Sequence, residues 1–418
     1  MAEFCFGPFV LNPLANRLVR DGIEVKMRPQ AFAVLRSLAA QPGRFLTHDD
    51  LIREAWEGTH VSRHTVNVTV GEVRRLLDDY GSWIVWRPKV GYALRIPQSE
   101  TLVRLGWHFV NLRSAEGFER AIECFRSAAL EAPRDHRPFE GLSSCYLMMA
   151  SWGTRCGREM FDAFLTAHDH AVQLVGDTPA LRCNYAHALH IYQRRLDDAL
   201  AEFDRALAEQ PQMAIGHVRR TLLLVTIGDL DGALDSAGRG RAVDPLQPLT
   251  AVAELNVRIW RREFDRAVAL GERAVQLHPY FMLTRAYCGM ALECAGDREA
   301  ALEQYHIGGV ITQGLAWMRG LEGTCLANMG RVTEARRILN ELLARRPDQY
   351  VDPYAVARLH MALGNVNDAF AELERAIDDS VPALYALRFD PSADPFRSDP
   401  RFVPLLNRYL SPVGATYA

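Results

Sequence analysis

Alanine returns every 34 residues through the second half of the chain, at Ala199, Ala233, Ala267, Ala301, Ala335 and Ala369. Proline keeps that period at Pro211, Pro245, Pro279 and Pro347, with one step skipped. Glycine keeps it at Gly228, Gly296, Gly330 and Gly364, with Arg262 in the missing place. A small residue at a fixed position lets two helices approach closely, and a glycine and a proline on either side interrupt the chain between helices. Each period therefore predicts one antiparallel helix pair, stacked on the next.

An alanine and a proline twelve residues apart, with a glycine five before the alanine, resembles the tetratricopeptide repeat. An earlier copy stands at Ala121, Phe125, Ala128 and Pro133, matching Ala199, Phe203, Ala206 and Pro211. The interval of 78 between Ala121 and Ala199 exceeds two periods by ten. It predicts a degenerate second repeat with an insertion around Trp152 to Arg158, and about eight repeats over 102–382. The resemblance implies an all-α superhelix whose concave face binds a peptide or protein surface. The tail, 383–418, carries Phe389-Asp390-Pro391 and Asp394-Pro395-Phe396, and is expected to cap the array.

Before the array the pattern is different. Short apolar runs between 3 and 27 are cut by Gly7-Pro8, Asn12-Pro13 and Asp21-Gly22, which predicts a small antiparallel sheet. Pro29 to Gln41 reads as a first helix ended by Pro42-Gly43, and Thr47 as the N-cap of a second helix running to about Trp56. Gly58 to Val61 is expected to turn into a third helix opening at Ser62. That helix places Val66, Val70, Val73 and Leu77 on one stripe. Val66, Val68 and Val70 also alternate, which is a strand signal, but Arg74-Arg75-Leu76-Leu77 breaks the alternation and keeps the stripe. The opposite face carries His64, Val68, Gly71, Glu72 and Arg75, with Asn67 on its flank. A hairpin with Arg87 and Lys89 follows.

Val61-Ser62-Arg63-x-Thr65-Val66-x-Val68, Glu72-Val73-Arg74-Arg75-x-Leu77 and Pro88-Lys89-Val90-Gly91-Tyr92 closely resemble the effector domain of OmpR/PhoB-type winged-helix transcription regulators. The resemblance covers essentially all of 3–97. It implies an α+β winged helix-turn-helix domain over 1–97, closed enough to fold alone, and a linker over 98–101. It also implies a DNA-contacting set of Arg63, His64, Thr65, Asn67, Val68, Glu72, Arg74, Arg75, Arg87 and Lys89. Within that set Asn67 is expected to take adenine bidentately, Val68 to meet a thymine methyl, and Glu72 to accept from a cytosine amine. Gly71 and Glu72 depart from the basic pair of the response-regulator branch. Val90 and Ala93 stand where arginine is common, so minor-groove affinity would rest on Lys89 and Arg87.

Charge agrees with a polyanion partner for the first part. Residues 1–60 hold seven basic and seven acidic side chains, whereas 61–97 hold six and three. Both lysines of the chain, Lys26 and Lys89, lie before residue 98. Eight scattered cysteines without a Cys-x-x-Cys point to a reducing cytoplasm, and neither a signal peptide nor a membrane span is expected. Cys183, His187 and His190 have helical zinc spacing but occupy core positions of their repeat, so packing is the expected role. No nucleotide loop, nucleophile elbow or acid/base pair is present, so neither an enzyme nor a cofactor is expected. The sequence thus reads as a one-component regulator: a winged helix on double-stranded DNA, and an array for signal input, partner binding or pairing into a homodimer. The alternative is a repeat scaffold whose winged helix makes only protein contacts.

Overall fold

The structure is a computed structural model that describes residues 3–413 apart from 21, 58 and 60. Asp21 of the expected hairpin, and Gly58 and His60 of the expected turn, lie outside the described residues. The chain divides into two compact units, one of Met1–Trp107 with Cys124–Pro133, the other of His108–Glu123 with Arg134–Ala418.

In the first unit, strands β1 (Phe4–Phe6), β2 (Phe9–Asn12), β3 (Arg17–Arg20) and β4 (Ile23–Val25) form an antiparallel sheet in chain order. Alternation puts Phe6, Phe9, Leu11 and Leu18 on its inner side. They pack against α1 (Pro29–Ala40), α2 (His48–Ala55) and α3 (Arg63–Leu76) through Leu35, Leu38, Leu51 and the α3 stripe. Val66, Val70, Val73 and Leu77 are fully buried, each contributing about 1.5–3 kcal/mol. Both helix starts are capped as their sequences predict. Thr47 and Asp50 form a reciprocal capping box, and Ser62 Oγ accepts from the Thr65 amide at 3.2 Å. A short 3₁₀ turn then leads to the hairpin of β5 (Ile84–Arg87) and β6 (Gly91–Leu94).

Residues 98–101, expected as a linker, are instead the first turn of α4 (Gln98–Asn111), and Ser99 and Glu100 are buried. Further along that helix Arg104 donates to the Cys5 carbonyl at 2.6 Å, and Trp107 meets Phe125 edge-on at 5.5 Å. The first unit therefore does not close at Pro97.

Sixteen helices, α4 to α19, follow one another as consecutive pairs among the described residues. The six periodic alanines lie on the second helices and are all fully buried, as is Ala121. Gly228, Gly296, Gly330 and Gly364 all have positive φ, from +79° to +99°, at the end of a first helix or just beyond it. Arg262 holds the same left-handed place at φ +60°, a conformation only glycine adopts without cost. The irregular second repeat is the pair α6 (Arg137–Ser151) and α7 (Gly157–Val175), with Trp152–Cys156 as its insertion. In α7 the buried Phe164, His168 and Ala171 repeat the spacing of Ala199, Phe203 and Ala206. Phe164 lies 35 residues before Ala199, and a π-helical turn at Leu189–Gln193 takes up the extra residue.

First and second helices differ in burial. In the fifth pair, α13 (Phe264–Leu277) buries Ala267, Gly271 and Ala274, one face only. Its partner α12 (Pro248–Trp260) is buried nearly all round, from Thr250 to Trp260. The additional cover on the first helices comes from residues 381–397. Tyr385 accepts on its carbonyl from Thr226 Oγ1 at 3.1 Å, its hydroxyl accepts from Asn256 Nδ2 at 3.0 Å, and its ring meets Trp260. Tyr354 donates to Asp390 at 3.0 Å. The face expected to receive a partner peptide thus carries the chain's own segment in this structure. Beyond it, Phe402, Leu405 and Tyr409 of α21 (Phe402–Leu410) pack on α19 (Val366–Asp378). Cys183 and His187 are buried, and so is His190, whose Nε2 lies 2.8 Å from Thr226 Oγ1. No helix among the described residues is long and apolar enough to cross a membrane.

Candidate nucleic-acid interface

With its valine stripe in the core, α3 turns the other side outward. Arg63, His64, Asn67, Val68 and Arg75 are exposed, Val68 by 48%, while Thr65, Gly71 and Glu72 are half-buried. The hairpin presents Trp86, Arg87, Lys89 and Val90 in the same unit. It is anchored by a two-way backbone bridge between Leu46 and Tyr92, at 2.7 and 2.9 Å. That bridge explains Gly91: at φ +133° a Cβ there would sit 2.0 Å from the Leu46 carbonyl oxygen.

Several expected roles change once the partners are visible. The Asn67 amide oxygen accepts from the Tyr92 hydroxyl at 2.8 Å and lies 2.8 Å from His48 Nε2. Bidentate capture of adenine needs that oxygen as acceptor, so Asn67 has only its NH2 group to offer. Glu72 receives the Arg28 guanidinium on both oxygens, Nε at 2.9 and 3.0 Å. That hydrogen bonding holds its carboxyl below the usual range, and the carboxylate is occupied where a cytosine amine was expected to bind. Arg74 points away from solvent, donating to the Ile84 carbonyl at 3.1 and 2.6 Å and lying 5.8 Å from the Tyr92 ring centre. It fastens helix to hairpin, and burial raises the Tyr92 pKa. Ala93 is fully buried, so it is not a groove-facing position at all.

Arg75 reaches outward, with one long contact of 3.4 Å to the Gly71 carbonyl. Arg87 lies over Phe45 at 5.9 Å. Lys89 is exposed at the hairpin tip with φ +61°. The outward cations of this face are therefore Arg63, Arg75, Arg87 and Lys89. Arg28, His48 and Trp86 were missed from the sequence. Only Trp86 left a signal, an aromatic on the outward phase of a strand beside the basic turn; it is 53% exposed.

The family described as "Transcriptional regulatory protein, C terminal" matches residues 22–94, which span α1 to α3 and the hairpin. Residues 22–94 are an OmpR/PhoB-type winged helix. The description "Tetratricopeptide repeat" matches 189–244, and the array is of that type. The chain is similar to the transcriptional activator CadC of Escherichia coli (strain K12), 30% identical over 95 residues, 22% of this chain and 19% of that protein. It is 36% identical over 85 residues to the transcriptional regulatory protein CutR of Streptomyces coelicolor, 20% of this chain and 39% of that one. The chain thus spans less than half the length of these relatives. Among solved structures it is similar to a human IFIT1 dimer with m7Gppp-AAAA, with TM-score 0.49 and 15% identity over 76% of this chain and 78% of the other. A tetratricopeptide repeat protein from Parabacteroides merdae gives TM-score 0.43 and 13% identity, over 66% and 100%. These are likenesses of fold.

Proposed function

We propose that this chain is a transcription regulator in which the winged helix binds double-stranded DNA in the cytoplasm and the repeat array supplies input or assembly. The supporting observation is the outward face of α3 with its hairpin. There Arg63, Arg75, Arg87 and Lys89 are solvent-facing while the carboxylate of that face, Glu72, is neutralised by Arg28. In this reading α3 enters the major groove, Asn67 donates from its NH2 to a base acceptor, Val68 meets a thymine methyl, and His64 and Thr65 approach phosphate. The relatives are named a transcriptional activator and a transcriptional regulatory protein, which favours the same role.

Four outward cations predict modest non-specific affinity, with a slope of log K against log salt of about −3 to −4. Tight binding then calls for two protomers on adjacent half-sites, with the array as the means of pairing. A protein partner on the first-helix face has to displace residues 381–397. Mapping of genomic fragments bound by the full chain tests the reading, with recovery of a common sequence motif expected. No retarded band on genomic DNA at low salt would overturn it in favour of a repeat scaffold.

A further inference from the structure

Arg358 lies on α18 (Pro353–Ala362), 3% exposed, and among the described residues its side chain makes no hydrogen bond and no ion pair. Its guanidinium rests on the Tyr354 ring at 4.8 Å. Burial opposes the charge of Arg358, but Tyr354, Asp390 and Asp352 act on it through space and raise its pKa. What it lacks is an acceptor for its buried Nε and Nη2 donors, and unfilled buried donors are costly. Arg358 forms part of the wall of a cavity of about 290 Å³ between α14 (Met282–Ala295), α16 (Ala316–Asn328), α18 and the turn at 390–395. That is close to the lower end of ligand pockets, about 300–1,000 Å³.

The carboxylates of this wall already accept hydrogen bonds or ion pairs, and Arg298, the other arginine of the wall without a partner among the described residues, is exposed to solvent. Glu293 accepts from Tyr305 at 3.0 Å and from Asn328 at 2.8 Å. Asp390 accepts from Tyr354 and from the Ser392 amide, and Asp394 pairs with Arg262 at 2.8 Å. The buried guanidinium keeps unfilled donors beside a space that Met290, Leu321 and Met361 line together with polar side chains such as Thr324 and Asn328. A planar guanidinium matches a carboxylate, and a short apolar body matches the rest.

We propose that this cavity binds a small organic acid, its carboxylate on Arg358 and its short apolar chain against Met290, Leu321 and Met361. The inference goes beyond the DNA-binding reading and does not rest on it. Residues 390–395 form one side of the cavity, so occupancy holds the C-terminal segment against the first helices.

Calorimetric titration of the full chain at constant ionic strength, with sodium hexanoate and with inorganic phosphate as separate probes, tests it. Hexanoate should bind saturably at one site per chain. Arg358→Met keeps the stem and removes the donors, and should lose at least roughly tenfold in affinity in protein whose Tm shows that it is folded. Arg358→Lys keeps the charge without the planar fork and should also bind more weakly. Absence of saturable heat up to about 10 mM hexanoate, or equal affinity in both variants, would overturn the proposal. Binding of phosphate in place of hexanoate would overturn the carboxylate assignment.

Discussion

The Tyr92 hydroxyl of the hairpin donates to the amide oxygen of Asn67 on α3 at 2.8 Å, twenty-five residues earlier in the chain. This contact orients the exposed amide and decides which half of it faces outward. Asn67→Asp keeps an oxygen for Tyr92 and replaces the NH2 donor with a negative charge. Specific DNA affinity should fall by at least about 1–3 kcal/mol, while the urea midpoint changes little. Unaltered affinity in a quantitative band-shift series would show that Asn67 does not read DNA.

Glu72 and Arg28 cancel each other on the outward side of α3. Glu72→Gln should release Arg28 as a fifth cation, tighten non-specific binding and steepen the salt slope by about 0.9. Glu72 titrates low in the folded state. Its contribution to stability is therefore complete above the ordinary glutamate value of about 4.3 and is lost as pH falls through the depressed folded value. A difference between wild type and Glu72→Gln in melting temperature that appears at neutral pH and vanishes in acid is the expected result.

Ala267 and Ala301 are fully buried between paired helices. Leucine at either should overpack that contact and cost about 1–3 kcal/mol, read as a lower Tm. A wild-type Tm in both variants would sink the assigned register.

Arg262 occupies the glycine place of its repeat at φ +60° and also pairs with Asp394. Arg262→Gly and Arg262→Ala lose the pair equally, but only glycine relieves the backbone. Glycine should therefore be the more stable of the two by about 1–2 kcal/mol in denaturant titrations. Equal midpoints would count against strain at this position.

Tyr385→Phe removes the hydroxyl that accepts from Asn256 in a buried site. Leaving that amide donor unpaired should cost about 1–3 kcal/mol. It should also quicken proteolysis of the C-terminal segment, which mass spectrometry of a limited digest would reveal.

Local spacing and local propensity carried most of the architecture. The 34-residue alanine ladder, the glycine places including Arg262, the insertion near Trp152 and the α3 stripe all follow from fixed intervals along the chain. Close helix contact, left-handed backbone and a buried face each demand a residue type at a set interval, and that demand is visible in the chain. What the exposed face of α3 can offer DNA was not visible. Arg28 meets Glu72 across 44 residues, and Arg74 turns inward to Ile84, because pairing between side chains depends on which elements the core brings side by side. The same holds for the array. Tyr385 meets Asn256 across 129 residues, and no periodicity records that the chain's own tail lies along the first helices. Contacts of that range have no fixed sequence interval, so only the packed tertiary structure decides them.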